Sequence, residues 1–256
     1  MYIFESHAHY DDEAYDEDRD ALLSSLPENG IGKVVNVCAA PESLDATVRL
    51  LEKYPFVYGA VGLHPDEVGA LDDALLQRME QLCRLEKVVA VGEIGLDYHW
   101  NTETHEKQIS CFLQQLDLAR RTSLPVIIHS REACADTLDL AKQEKLGDIG
   151  GVIHCFSYEK EIAREYLNMG MYLGIGGVLT YKNARKLKEV VTYAPLSQLL
   201  LETDCPYLAP VPNRGKRNSS LNIPYIVTEI AQLKDISEEE VIETTQYNAE
   251  KMFGLV

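Results

Sequence analysis

The sequence predicts a (β/α)₈ barrel, and three observations point to it. Short apolar runs alternate with longer stretches of helical composition from end to end of the 256 residues. Eight such runs occur, unbroken rather than alternating, as suits strands buried on both faces of a parallel sheet. No GxGxxG follows the first run, which disfavours a doubly wound dinucleotide-binding sheet.

In chain order, residues 2–4 form the first strand candidate and residues 34–38 the second, followed by a helix at 41–53. Strands at 57–62 and 88–92 are separated by a helix at 70–84. The next helix, 103–122, places Ile109, Phe112, Leu113, Leu116 and Ala119 at spacings of three and four, an amphipathic stripe. Strands at 126–129, 151–154, 172–175 and 199–201 then alternate with helices at 132–144, 160–168 and 183–192. Residues 207–222 form a long irregular stretch rich in Pro, Asn, Arg, Lys and Ser, and a loop of that length is usually functional. Ser-Glu-Glu-Glu at 237–240 opens a last helix, 237–253, with a capping-box pattern.

Hydrophobic residues make up 46% of the chain, ample for one barrel domain over residues 1–256. No window approaches the ~18 uninterrupted apolar residues of a membrane span. The first residues lack the basic and apolar regions of a signal peptide, so a cytoplasmic protein is expected. Six scattered cysteines with no CxxC pair read as reduced thiols. The formal charge of −17 is the wrong sign for a protein that grips long duplex DNA over a broad basic face. A polyanionic substrate must be held by bound metal and a few local cations.

Reacting groups in such a barrel gather at the C-terminal strand ends. Five of seven histidines fall there: His7 and His9 after the first strand, His64 after the third, His129 and His154 closing the fifth and sixth. Glu93 follows the fourth strand and Asp204 the eighth. His7 and His9, two apart on an extended chain, point to one side. Taken singly, each histidine also suits a hydrogen-bonded rim position, and each carboxylate a structural salt bridge, since a buried carboxylate must be paired or metal-bound. Taken together, His7, His9, His129, His154, Glu93 and Asp204 point to metal. Imidazole with carboxylate selects Zn²⁺, Mn²⁺, Co²⁺ or Ni²⁺. Six ligands exceed the three of an open catalytic zinc and suit two divalent ions sharing a carboxylate.

The ordered strings carry more. His7-Ala8-His9, Gly62-Leu63-His64-Pro65, Gly92-Glu93-Ile94-Gly95-Leu96-Asp97-Tyr98, His129-Ser130-Arg131-Glu132, His154-Cys155-Phe156-Ser157, Leu201-Glu202-Thr203-Asp204 and Arg214-Gly215-Lys216-Arg217-Asn218 occur in series. In these strings the chain resembles the TatD-type deoxyribonucleases, metal-dependent members of the amidohydrolase barrel group, over nearly its whole length. The resemblance implies that His7, His9 and Asp204 hold one ion, His129 and His154 the other, and that Glu93 bridges them. It also implies a 3′→5′ exonuclease acting on single-stranded DNA, with Mg²⁺ added to the candidate ions. His64 then matches a rim histidine that touches substrate phosphate or water, and Glu202 a residue that orients a ligand. Glu5 stands where the family often has Asp, and Tyr10 where an aliphatic residue is common; neither is a proposed ligand.

Two-metal phosphodiester hydrolysis is the expected chemistry, with Asp204 and Glu93 as catalytic carboxylates and Asp204 as general base. His64, Arg131, Arg214, Lys216 and Arg217 are the expected substrate contacts, supplying charge to phosphate oxygens. Tyr98, Trp100 and Tyr207 flank the rim and suit base stacking or packing equally. DNA, as single strands or 3′ ends, is the expected partner, with no membrane and no obligate protein partner. Alternative chemistries on the same site are an amidohydrolase, a deaminase, or an ester or aminoacyl-tRNA hydrolase. C–N hydrolases of this kind often carry a carboxylated lysine on the fourth strand, where this chain has Glu93. A binding protein with a structural metal would normally close its site with four ligands.

Overall fold

The computed structural model of the chain describes residues 1–100 and 105–256. Its strands are β1 (Ile3–Ala8), β2 (Ile31–Val37), β3 (Val57–Val61), β4 (Val88–Asp97), β5 (Val126–Arg131), β6 (Gly151–Ile153), β7 (Tyr172–Ile175) and β8 (Leu199–Leu201). They form one parallel sheet in the order β1 to β8. Around it run α1 (Arg19–Ser25), α2 (Ser43–Lys53), α3 (Asp73–Leu82), α4 (His105–Thr122), α5 (Cys134–Gln143), α6 (Leu146–Ile149), α7 (Lys160–Asn168), α8 (Arg185–Tyr193), α9 (Ile223–Lys234) and α10 (Glu238–Met252). This is the barrel expected. The start of the helix predicted at 103–122 falls outside the described residues.

The sheet closes on itself at one end only. Past β8, Asp204 N–H donates to His7 O at 3.0 Å, His9 N–H donates to Cys205 O at 2.8 Å, and Ala8 bridges Cys205. Closure therefore uses the residues singled out as ligands. Glu5, fully buried, supports the same seam: its carboxylate accepts from Thr203 N, Thr203 Oγ1, His7 N and Ser220 Oγ at 2.7–3.2 Å.

Two apolar layers hold the barrel. The larger lies between sheet and helices and includes Ile3, Val34, Val57, Val91, Ile128, Leu173, Leu199 and, from α4, Phe112 and Leu116. The smaller fills the interior with Phe4, Val35, Val37, Val89, Ile127, Val152 and Leu200. Ala249, Met252 and Phe253, at the C-terminal end of α10, plug its N-terminal mouth, with Phe253 stacked on Phe4 at 5.7 Å. Each of the larger apolar side chains contributes about 1.5–3 kcal/mol on burial.

Strand parity carries the inner face to the rim. Ile127 and His129, Val152 and His154, and Leu200, Glu202 and Asp204 stand an even number of residues apart and share a face. In β1 and β4 the pairing register slips between Glu5 and Ala8 and between Val91 and Ile94. There His7 and Glu93 turn to the inner face although each is three residues from an interior residue, Phe4 and Ala90. Bulges of this kind re-aim side chains next to active sites. Gly95 lets β4 approach β5 at this level: its φ is +145°, and a Cβ there would lie 2.0 Å from His129 O.

α9 received no expectation from the sequence. Its Ile-Val-Thr run at 226–228 has strand-like composition, but Pro224 in the first turn is compatible with a helix start. Ile223, Ile226, Val227, Ile230 and Ala231 then bury at helical spacing. Ser237 caps α10 as its sequence predicts, accepting from Glu240 N.

Candidate metal centre at the C-terminal rim

Seven polar side chains meet at the rim: His7 from β1 and His9 just past it, Glu93 and Asp97 from β4, His129 from β5, His154 after β6 and Asp204 after β8. Glu93 is central. Its Oε2 lies 3.3 Å from His7 Nε2 and 3.8 Å from His9 Nε2. Its Oε1 accepts from His129 Nδ1 at 2.6 Å and lies 3.7 Å from His154 Nε2. Asp204 Oδ1 stands 3.3 Å from His9 Nε2, and 3.8 and 3.7 Å from the Nε2 atoms of His7 and His154.

The backbone is strained to achieve this. Asp204 and Cys155 take left-handed φ values of 56° and 45° without being glycine. Such conformations cost on the order of 1–3 kcal/mol each and persist where surrounding structure holds them. Here Asp204 N–H is held by His7 O, and Cys155 N–H donates to Glu202 Oε1 at 2.6 Å.

Burial penalises the Glu93 carboxylate, yet the facing His154, His7 and His129 hold its pKa well below the usual range. Asp204 is likewise lowered, burial being outweighed by His154 and His9. The imidazoles mirror this. Burial opposes charge on His9, but Asp204 and Glu93 raise it to about 10; Glu93 and Asp97 do the same for His129, also to about 10. His154, buried beside Glu202, Glu93 and Asp204, is raised to about 9. His7, stacked on His154 at 3.5 Å, is pushed down to about 4 by burial and then by the charge of that neighbour. The arrangement without metal thus balances clustered carboxylates with imidazolium protons.

These residues fit a divalent cation. His7 Nε2 and His9 Nε2 face each other at 3.2 Å, and one proton serves only one such contact. Nδ1 of His7 has no hydrogen-bond partner among the described residues, while His9 Nδ1 is fixed on Val37 O at 2.8 Å, which aims Nε2 inward. Ligand atoms of His7, His9 and Asp204 converge within 4.8 Å, as do those of His64, Glu93 and His129. His154 converges with Cys155 and Asp204, and also with His7 and Glu202.

The second ion's expected pair is less compact than the first trio. His129 and His154 share Glu93 as a neighbour, but their rings stand 6.4 Å apart, and the third member beside Glu93 and His129 is His64. The reason is local: His129 donates through both nitrogens, Nδ1 to Glu93 and Nε2 to Asp97 Oδ2 at 3.0 Å, as an imidazolium does. Asp97, buried and bonded to His129, has no role assigned from the sequence. Its position after Gly95-Leu96 at the same strand end was the available signal.

Glu202 is fully buried, with Oε1 3.2 Å from His154 Nδ1 but without hydrogen-bond alignment. His64 Nε2 lies 4.0 Å from Glu93 Oε1, and its Nδ1 accepts from Asp66 N. Arg131, at the end of β5, places its guanidinium 5.4 Å from the Trp100 ring centroid. The three basic loop residues differ. Arg214 lies over Tyr181 at 4.4 Å, and Lys216 makes a long 3.5 Å contact with Asn213. Arg217 is engaged inside the chain, paired with both Asp18 oxygens and Ala14 O and lying over Tyr15. Among the aromatics, Tyr98 has a face covered by His105 at 3.4 Å and donates to Asp136, while Tyr207 donates to Asp12 and stands edge-on to His9.

Residues 4–254 match the family described as "TatD related DNase". A Bacillus subtilis protein described as the uncharacterized metal-dependent hydrolase YabD is 39% identical, over 99% of both chains. YcfH of Escherichia coli, described in the same words, is 34% identical over 100% of this chain and 97% of its own. The crystal structure of YJJV, a TATD homolog from Escherichia coli, superposes with a TM-score of 0.93 at 31% identity, covering 98% of each chain. No helix among the described residues is long and apolar enough to cross a membrane.

Proposed function

Since this chain belongs to the TatD family of metal-dependent hydrolases, we propose that it cleaves phosphodiester bonds of DNA, as a 3′→5′ exonuclease that prefers single strands. The observation that carries this reading is the division of Glu93, one oxygen facing His7 and His9 and the other facing His129 and His154. A carboxylate so divided suits a bridge between two ions, with His7, His9 and Asp204 on one side and His129 and His154 on the other.

Divalent ions supply Lewis acidity toward a phosphoryl oxygen and bring the pKa of water toward neutrality. The chain's own groups do the rest. Asp204, ionised at neutral pH because its pKa is lowered, accepts a proton from the attacking water. His64 at the rim and Arg131 contact non-bridging phosphate oxygens, with Arg214 and Lys216 next along the loop. Asp97 holds His129 in place from behind, and Glu202 stands behind His154 at 3.2 Å from its Nδ1. The compact mouth suits a strand end better than a duplex interior, which matches the acidity of the chain as a whole.

The test is to measure bound metal and then mononucleotide release from a labelled single strand with Mg²⁺ or Mn²⁺. Release from the 3′ end is expected. Absence of release, together with turnover of an amide, an amidine or an aminoacyl ester, would move the assignment to a C–N or ester hydrolase.

A further inference from the structure

We propose that Trp100 is a stacking platform for a base of the strand held at the metal centre, and that Arg131 beside it takes the same strand's phosphate. This rests on the nuclease reading above and extends it to a specific subsite.

Trp100 is the only tryptophan of the chain, and its side chain is 69% exposed. Indoles are usually well covered, so one standing in solvent beside a reaction centre calls for an occupant. Its neighbours are firmly placed. The His99 ring meets it edge-on at 4.4 Å, and His99 is fixed by Glu132 at 2.6 Å. The His99 backbone N–H donates to Asp97 Oδ1 at 2.8 Å, while the other oxygen of Asp97 holds His129. The same carboxylate thus anchors the platform and a histidine of the metal centre.

Trp100 is three positions along the chain from Asp97, so their Cα atoms lie within about 11 Å. That is about three stacked nucleotides at ~3.4 Å each. Arg131, whose Cα pairs with Asp97 across β4 and β5, has no carboxylate within ion-pair distance among the described residues. Its guanidinium lies 5.4 Å from the Trp100 ring. An indole face with an adjoining guanidinium matches the two parts of a nucleotide, base and phosphate. The other rim aromatics fit less well, because His105 covers Tyr98 and Asp12 holds the Tyr207 hydroxyl.

A single tryptophan makes the platform directly observable. The metal-loaded protein is titrated with a short oligothymidylate carrying phosphorothioate linkages, which resist hydrolysis, and with an abasic strand of equal length and charge. Indole emission and the anisotropy of a strand label are read together. The expected result is saturable quenching by the thymidylate, several-fold greater than by the abasic strand. Trp100→Ala should weaken strand binding about five- to a hundredfold, and Trp100→Phe should recover most of that loss. Unchanged emission while anisotropy reports binding would overturn the platform and leave the nuclease reading intact, as would equal quenching by the abasic strand. No binding and no hydrolysis of any strand would overturn both.

Discussion

The two ends of the barrel are built from the same eight strands but obey different rules. At the N-terminal end, Phe4, Val89, Val152 and Leu200 form a dry apolar interior sealed by Met252 and Phe253 of the C-terminal segment. At the C-terminal end that apolar filling gives way to a cluster of buried imidazoles and carboxylates, with register slips at Glu5–Ala8 and Val91–Ile94 and left-handed φ at Cys155 and Asp204. One end stabilises; the other holds charged and polar groups in costly, buried positions. Proteins commonly break local rules at functional sites and compensate elsewhere.

The sharpest way to break the contrast is to remove the central carboxylate. Glu93→Ala should abolish turnover, by more than about 10³-fold, and lower bound metal, while circular dichroism remains that of the folded barrel. A variant retaining wild-type metal content and rate would mean that Glu93 is a structural acid. The opposite end should respond in the opposite manner. Phe253→Ala removes the ring stacked on Phe4 and should cost about 3–5 kcal/mol of stability, lowering Tm by roughly 10 °C, with kcat at a temperature below the transition close to wild type. A matching fall in kcat would show that the two ends are coupled.

Asp97→Asn sharpens the boundary of the site. It should lower metal affinity about 10–100-fold, because His129 loses the carboxylate that fixes its ring. Metal titration reads this, and an unchanged affinity would make Asp97 part of the scaffold alone.

The remaining expected effect is protonic. In the metal-free site His9 and His129 titrate near 10 and His154 near 9, so all three carry protons at pH 7. Metal ligation requires neutral imidazole, so loading at pH 7 should release about three protons, and apparent affinity should rise from pH 6 to 9. Calorimetry in two buffers of different ionisation heat counts them. A count of zero would show that the raised values do not describe the metal-free site.

Much of the fold was legible because the apolar runs of β2, β3 and β5 to β8 are short, continuous and bounded by helical stretches. The apolar run of β4 ends at Gly92 in the sequence, yet the strand continues to Asp97, because a carboxylate and two glycines interrupt the apolar pattern where the strand reaches the rim. α9 was missed because its β-branched run resembles a strand until its neighbours bury one helical face. Arg214, Lys216 and Arg217 look alike as a basic cluster, but only the folded chain brings Asp18, Ala14 and Tyr15 to Arg217.

From the sequence alone came the barrel, the rim on which its histidines gather, and the identity of the acids among them, because strand order and side-chain parity are local properties. The tertiary structure decided which atoms face each other: Glu93 divided between two histidine pairs, Asp97 behind His129, and closure of the sheet through His7, His9, Asp204 and Cys205. Those contacts join residues up to about two hundred positions apart, and their distances depend on register slips and backbone strain that no local pattern encodes.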